Sequence, residues 1–119
     1  MRLYLLDTNA LGHFINHRRG VAVKVREARL RGDRIGTCGP VIGELYYGLE
    51  LSASRDENVK RANLALKKLK IWPFTWDVGV EFGRIRAEQT RIGRPMQIVD
   101  MQVAAVSFVL GNSTVVSSD

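Results

Sequence analysis

The motif LYLLDTN, residues 3–9, sets the architecture of this chain. Residues 3–6 form a compact apolar run, which is typical of a strand buried inside a sheet. Asp7, Thr8 and Asn9 follow at once, and each of these residue types can satisfy the free N–H groups at the start of a helix. The motif therefore predicts a buried strand that ends in a carboxylate and leads into a helix.

Further apolar segments of strand and helix length alternate along the chain. The predicted strands are residues 3–6, 34–38, 71–74 and 114–116, and the predicted helices are residues 10–16, 21–32, 40–49, 59–70, 75–92 and 98–110. Adjacent strands are separated by helical stretches without hairpin dipeptides, which favours crossover connections and a parallel sheet. We predict an α/β fold in which a parallel sheet of about four strands carries helices on both faces, within one domain at residues 1–119.

Some surfaces are predicted at finer detail. Val21, Val25, Ala28 and Leu30 have helical spacing and predict one apolar stripe. Residues 98–110 are almost all apolar, so that helix is expected to be buried on most sides. Residues 54–58 are polar and indicate a connection between two helices.

Composition limits the classes of protein that this chain can belong to. Of its 119 residues 45% are hydrophobic and 25% are charged, which excludes wholesale disorder. The net charge of +6 favours anionic partners such as nucleic acid. Cys38 is the only cysteine, so no disulfide can form within the chain, which fits a reducing compartment. The apolar run before Asp7 is too short for a signal peptide or a membrane span. We therefore expect a cytoplasmic protein.

Four carboxylates stand where an apolar segment meets a turn or a helix. They are Asp7 in LLDTN, Glu44 in GELYYG, Asp100 in IVDMQ and Asp119 in TVVSSD. In a parallel sheet the ligand site lies beyond the carboxyl ends of the strands, so all four can converge at that edge. Ionised carboxylates among apolar groups are costly unless a cation compensates them. The set predicts a site for Mg²⁺ or Mn²⁺, which prefer oxygen ligands.

Each acid also has a purely structural interpretation. Asp7 could cap the first helix, Asp100 could cap a helix that starts at Met101, and Glu44 could face solvent. Capping does not explain why four acids point to one crevice. A divalent cation does explain it, because it would offset their repulsion and acidify a bound water for attack on a phosphodiester.

Other polar residues are candidates for supporting roles. Thr8, Asn9 and Ser117 could orient the ligands or water through hydrogen bonds. Basic residues that could hold RNA phosphates include Arg18, Arg19, Arg86 and Arg94. The run KKLK at residues 67–70 is interpreted as an outer helix face. His13 and His17 could chelate a transition metal, but no Glu lies between them as a metalloprotease motif requires.

Taken in order, these motifs resemble a known family. LLDTN, the acid in GELYYGL, VDMQVAA and VVSSD together look like the PIN-domain nucleases, specifically the VapC-type toxins of bacterial toxin–antitoxin pairs. The resemblance implies a three-layer α/β/α fold and a Mg²⁺- or Mn²⁺-dependent ribonuclease that is usually a homodimer. It also implies inhibition by a VapB-type antitoxin, which would supply the only contact with operator DNA. Asp7, Glu44, Asp100 and Asp119 match the family's acidic quartet, with Thr8 or Asn9 and Ser117 at the accompanying polar positions.

The chain departs from the family pattern at two places. It ends at Asp119, where family members continue into a final short strand, so that strand is expected to be missing. The segment GRPMQIVD lacks the small polar residue often found ahead of the third acid.

Two other functions remain open from the sequence. A non-catalytic partner-binding module could use the same acids for structural metal or for antitoxin arginines. A phosphotransfer domain with Asp7 as nucleophile fits less well, because LLDTN lacks the second Asp of the haloacid-dehalogenase pattern.

Overall fold

The structure is a computed structural model that describes residues 1–117. Its strands are β1 (Leu3–Leu6), β2 (Arg34–Cys38), β3 (Lys70–Trp72) and β4 (Ser113–Val116). Its helices are α1 (Thr8–Ile15), α2 (Val21–Leu30), α3 (Gly39–Glu50), α4 (Arg55–Leu66), α5 (Trp76–Arg91) and α6 (Ile98–Leu110). The predicted α/β class is confirmed, as a three-layer α/β/α arrangement.

All four strands run parallel in the order β3-β2-β1-β4. The chain moves from β1 outward to β2 and β3, then returns through α5 and α6 to place β4 on the other side of β1. The strand order therefore reverses at the β1–β4 pair. In open parallel sheets, ligands bind in the crevice beyond the carboxyl ends of the strands at such a reversal. The topology directs attention to the residues that follow Leu6 and Val116.

The centre of the sheet is apolar and buried. Leu5 and Leu6 of β1 are 0% and 1% exposed, and Cys38 at the end of β2 is fully buried. Thr37 is the buried polar exception within residues 1–117, and its Oγ1 donates a hydrogen bond to the Leu6 carbonyl over 2.9 Å. That bond satisfies a buried hydroxyl and joins β2 to β1 directly before Asp7.

Several predicted boundaries were wrong by a few residues. The first helix begins at Thr8 rather than residue 10, and β3 is shorter than the predicted 71–74. Residues 55–58 form the first turn of α4 instead of a connection, and α4 ends at Leu66 rather than residue 70. Asp56 and Glu57 explain this start, because acidic side chains stabilise the positive N-terminal end of a helix. Strand β1, strand β2 and helix α6 match their predicted bounds.

Two predictions about burial also needed correction. Leu30 is 83% exposed, because α2 ends there and only Val21, Val25 and Ala28 face the core. Helix α6 buries Met101, Val103, Ala105 and Val106 but leaves Phe108 65% exposed, so it is not covered on most sides. Within residues 1–117 no helix is both long and apolar enough to cross a membrane.

Candidate active site

Asp7 lies directly after β1, at the point where the strand order reverses. Its Oδ1 accepts a hydrogen bond of 2.9 Å from the backbone N–H of Ala10, so it caps α1 as one interpretation predicted. The Asp7 backbone N–H donates to the Val116 carbonyl over 3.1 Å, which fixes the residue against the end of β4. The cap engages one carboxylate oxygen, and the other accepts no hydrogen bond from residues 1–117. Capping and ligand binding are therefore compatible roles for Asp7.

The last described residues of the chain lie beside Asp7. Leu6 pairs with Val116 in the parallel register of β1 and β4, so Ser117 emerges at the same edge of the sheet. Ser117 is exposed there. Asp119, the fourth predicted acid, lies outside the described residues.

Glu44 and Asp100 lie on two helices that pack against each other, α3 and α6. Helix α3 starts at Gly39 without a loop after β2, which places Glu44 in its second turn. Asp100 is the third residue of α6, whose N-cap is Gln97, so the alternative in which Asp100 caps a helix starting at Met101 was wrong. Both carboxylates are exposed.

The ion pairs among residues 1–117 engage other acids. Asp33, Glu50, Asp56 and Glu81 each pair with an arginine, and the three described candidate acids take part in none of these pairs. Their positions are therefore not accounted for by salt bridges within the described part of the chain.

Within the described residues, Asp7, Glu44 and Asp100 do not form the metal-binding group that the sequence predicted. Among positions 1–117, no three His, Cys, Asp or Glu side chains lie close enough together to hold one metal ion. Mg²⁺ usually keeps several waters and is bound through one or two carboxylates plus substrate phosphates. A donor set of carboxylates with an oxygen left free at Asp7 fits that hard cation better than it fits Zn²⁺, which takes four nitrogen or sulfur ligands in structural sites.

The other polar residues near the start of α1 and the end of β2 differ in position and exposure. Thr8 and Asn9 are the first two residues of α1, where Thr8 is half-buried and Asn9 is exposed. Cys38 ends strand β2, which pairs with the strand that precedes Asp7. Burial raises the pKa of the Cys38 thiol, which makes it a poor nucleophile. His13 lies within α1, whereas His17 follows the end of that helix with a φ of 54°, so the two do not form a helical pair.

The predicted RNA-binding arginines lie on two grooves and a turn. Arg19 lines a groove of about 390 Å³ whose wall includes Leu6, Val116 and Ser117, so the groove reaches the edge that carries Asp7. Arg86 and Arg94 share a second groove of about 360 Å³ between the end of α5 and the start of α6. Arg18 lies in the exposed turn between α1 and α2.

Sequence reasoning missed one residue that positions the site. Thr37 was considered only as part of a strand, yet its hydroxyl holds the Leu6 carbonyl next to Asp7. A threonine between Gly36 and Cys38 in a buried strand was the available signal, because a buried hydroxyl requires a partner.

Comparison with protein families and with curated proteins gives one consistent result. The family model of the PIN domain matches residues 4–119. Ribonuclease VapC2 of Rickettsia felis is 25% identical over 117 residues, which are 98% of this chain and 87% of that protein. Ribonuclease VapC2 of Haemophilus influenzae is 30% identical over 105 residues, which are 88% of this chain and 78% of that protein.

Solved structures share the fold described above. VapBC2 from Rickettsia felis, bound to a DNA fragment from its promoter, has a TM-score of 0.89 at 24% identity and covers 98% of this chain and 87% of its own. VapBC-1 from nontypeable Haemophilus influenzae has a TM-score of 0.79 at 19% identity, with 97% and 85% covered. At these identities the likeness establishes the fold.

Proposed function

This chain belongs to the PIN-domain family, and within it to the VapC-type toxins, and we propose that it is a metal-dependent endoribonuclease restrained by an antitoxin protein. The observation that carries this proposal is the position of Asp7. Its carboxylate is fixed at the reversal of the strand order, with one oxygen used by the helix cap and the other without a hydrogen bond from residues 1–117. The names of the curated relatives, which are ribonucleases, support the choice of RNA as substrate.

The proposed division of labour follows the placement of the residues. Asp7, Glu44, Asp100 and Asp119 hold Mg²⁺ or Mn²⁺, directly or through water. Thr8, Asn9 and Ser117 hydrogen-bond to those ligands or to the attacking water. When bound, the cation acidifies a water and neutralises charge that grows on the phosphate oxygens. Arg18, Arg19, Arg86 and Arg94 attract the RNA backbone, which the acids alone would repel.

Restraint by an antitoxin is proposed from the similar structures. Those structures are VapBC assemblies, and one of them is bound to promoter DNA. We extend this arrangement to the present chain, with a VapB-type protein as its partner and operator DNA contacted only by that partner. The site of action is then the cytoplasm, where the RNA substrate is found.

Removal of divalent cations provides the first test. The purified protein should cleave a cellular RNA pool in Mn²⁺ or Mg²⁺, and the rate of cleavage in EDTA should be at least about tenfold lower. Without the cation, the water that attacks the phosphate would lose the charge that activates it. Sequencing of the new RNA ends measures both the rate and the cleavage sites. Cleavage that is equally fast in EDTA would contradict the proposed metal, and intact RNA in every buffer would favour the non-catalytic module.

A homodimer is the second part of the proposal, and an exposed apolar surface supports it. Trp76 and Val80 are 87% and 64% exposed, and they lie four residues apart on α5. Arg84 continues the same row and stacks on the ring of Phe108, with its Cζ 5.7 Å from the ring centroid. We call these four residues the α5–α6 surface. Contiguous apolar surface of this kind marks an interaction site more often than isolated exposed residues do.

Substitution of Trp76 by Glu should weaken the dimer. In the proposed dimer Trp76 would be buried as an aromatic anchor, and such residues contribute about 2 kcal/mol or more to an interface. A charge at this position should therefore raise the dissociation constant of the dimer at least ~30-fold. Light scattering after size-exclusion chromatography measures the mass across a dilution series. Leu30→Glu is the matched control, because Leu30 is equally exposed but lies on α2. Equal dilution behaviour of the two variants would argue against this surface.

A further inference from the structure

A shallow groove of about 390 Å³ lies at the amino-terminal edge of the sheet, opposite the edge that carries Asp7. Five basic residues from three segments of the chain line it, together with one acid. These residues are Arg29, Arg34, Lys67, Lys68, Lys70 and Asp33, and we call them the basic groove. The sequence interpretation of residues 67–70 as a plain outer helix face missed this convergence, because Arg29 and Arg34 are distant in the chain.

The single acid of the basic groove is already engaged. Its Oδ1 accepts a hydrogen bond of 3.0 Å from the Arg2 backbone N–H, and its Oδ2 pairs with Arg31 Nε at 3.3 Å. The hydrogen bond from the Arg2 backbone N–H is the largest cause that lowers the pKa of Asp33, and the hydrogen bond from Arg31 lowers this pKa further. The ion pairs found within residues 1–117 include none of the five basic residues of the groove. The groove therefore carries a strong excess of positive charge.

Helix electrostatics explain only part of this cluster. Arg29 lies in the last turn of α2 and Lys67 is the C-cap of α4, and cations stabilise the negative ends of helices at such positions. Arg34 and Lys70 have no such role, because they begin strands β2 and β3. Solvated surface is the ordinary setting for any single lysine, but it does not predict five cations around one groove.

The groove is built on rigid elements. The Arg34 backbone N–H donates to the Arg2 carbonyl over 3.0 Å, and Lys70 is held by the pairing of β3 with β2. Ile35 and Leu69 are 4% and 8% exposed and form its buried floor. Fixed arginine and lysine donors around a shallow groove fit phosphate oxygens, which accept charge-assisted hydrogen bonds.

We propose that the basic groove binds the phosphate backbone of the RNA substrate at a second place, remote from the carboxyl edge. This proposal rests on the proposed ribonuclease function for the identity of the RNA. Strand β2 runs from Arg34 at the groove to Cys38 at the carboxyl edge, which separates the two places by roughly 13 Å at the usual rise per residue. Helices cover both faces of the sheet, so an RNA strand that contacts both places must pass around the protein and its path is longer than this direct distance. An oligonucleotide of two or three nucleotides at Asp7 cannot follow that path, whereas a folded RNA can contact both places. The groove thus favours large, structured RNA over short fragments.

The test measures binding separately from cleavage. Fluorescence anisotropy in EDTA compares a labelled tRNA-sized RNA with a short single-stranded RNA across a range of salt concentrations. Lys68→Gln/Lys70→Gln should lower the magnitude of the salt slope for the large RNA by ~1.4–1.8, because each lost phosphate contact removes about 0.7 from it in single strands and about 0.9 in a B-form duplex. Arg26→Gln/Lys60→Gln is the control with the same loss of charge, since both residues are exposed and lie outside the groove. The slope for the short RNA should change less than the slope for the large RNA.

The outcomes separate this proposal from the nuclease assignment. Equal effects of the two double variants on binding of the large RNA would overturn the proposed role of the groove. In a parallel titration with duplex DNA, a loss of DNA binding by Lys68→Gln/Lys70→Gln with RNA binding intact would overturn it as well. Absence of cleavage in Mn²⁺ would count against the nuclease alone, because the binding measurement in EDTA does not depend on it. Melting temperatures equal to that of the wild-type protein establish that both variants are folded.

Discussion

Replacement of Asp7 by Asn is expected to lower the rate of RNA cleavage by roughly 10²–10³-fold while the protein stays almost as stable as before. The two effects separate because the carboxylate has two roles. Asn is as good an N-cap as Asp, so the hydrogen bond to the Ala10 N–H can persist through the amide oxygen. Asn is uncharged, however, so it binds a divalent cation weakly and does not offset its charge.

Asp7→Ala provides the matched comparison. It removes both roles, so it should lose the cleavage activity and also destabilise the fold by about 1 kcal/mol through the lost cap. Cleavage under a fixed Mn²⁺ concentration and thermal unfolding of the same samples give the two measurements. Wild-type cleavage by the Asn variant would reject Asp7 as a ligand. An Asn variant that unfolds as easily as the Ala variant would instead show that the activity loss is structural.

The local sequence was sufficient to predict the bounds of elements that are apolar and that are followed directly by a polar residue or a glycine. Strand β1 is stopped by Asp7, and α6 is an almost entirely apolar segment stopped by Gly111, so their bounds could be predicted. Helix α4 was placed too late because its first turn is polar, and periodicity is weak where a helix faces solvent. Its start is set by electrostatics at the helix N-terminus, which an apolar pattern does not contain.

The candidate site was only partly accessible to the same reasoning. Asp7 could be placed because it follows the first strand directly, and parallel pairing puts Ser117 at the same edge. The exposure of Glu44 and Asp100 depends on how α3 packs against α6, which is a property of tertiary structure. The basic groove was missed for the same reason, since the pairing of β2 with β3 is what brings Arg34 and Lys70 into one groove. The acidic quartet stays a prediction, because its three described members do not lie close enough together to hold one ion and its fourth member lies beyond residue 117.

Substitution of Gly36 by Ala should destabilise the protein by about 2–3 kcal/mol, the second large effect expected. Gly36 is buried in β2, where it pairs with Lys70 of β3. A Cβ at this position would approach the Lys70 carbonyl carbon and Cζ3 of Trp72 to 2.8 Å each, with the Lys70 carbonyl oxygen closer still. Backbone cannot move aside as a flexible side chain can, so strands β2 and β3 would have to separate and Trp72 would lose its buried position.

The opposite result is expected for Gly83→Ala, and the contrast identifies the cause. Gly83 lies in the middle of α5, and apart from its chain neighbours and its own helix backbone no atom of residues 1–117 lies within 4 Å of an added Cβ, so Ala should stabilise the helix by about 0.5–1 kcal/mol. Urea unfolding of the two variants compares the same chemical change in a closed and an open environment. Loss of stability in both variants would point to a general cost of the added methyl group, whereas loss in Gly36→Ala alone requires the close approach of β2 to β3. Because Lys70 belongs to the strand that would be displaced, Gly36→Ala should also weaken RNA binding by the basic groove under conditions where the variant remains folded.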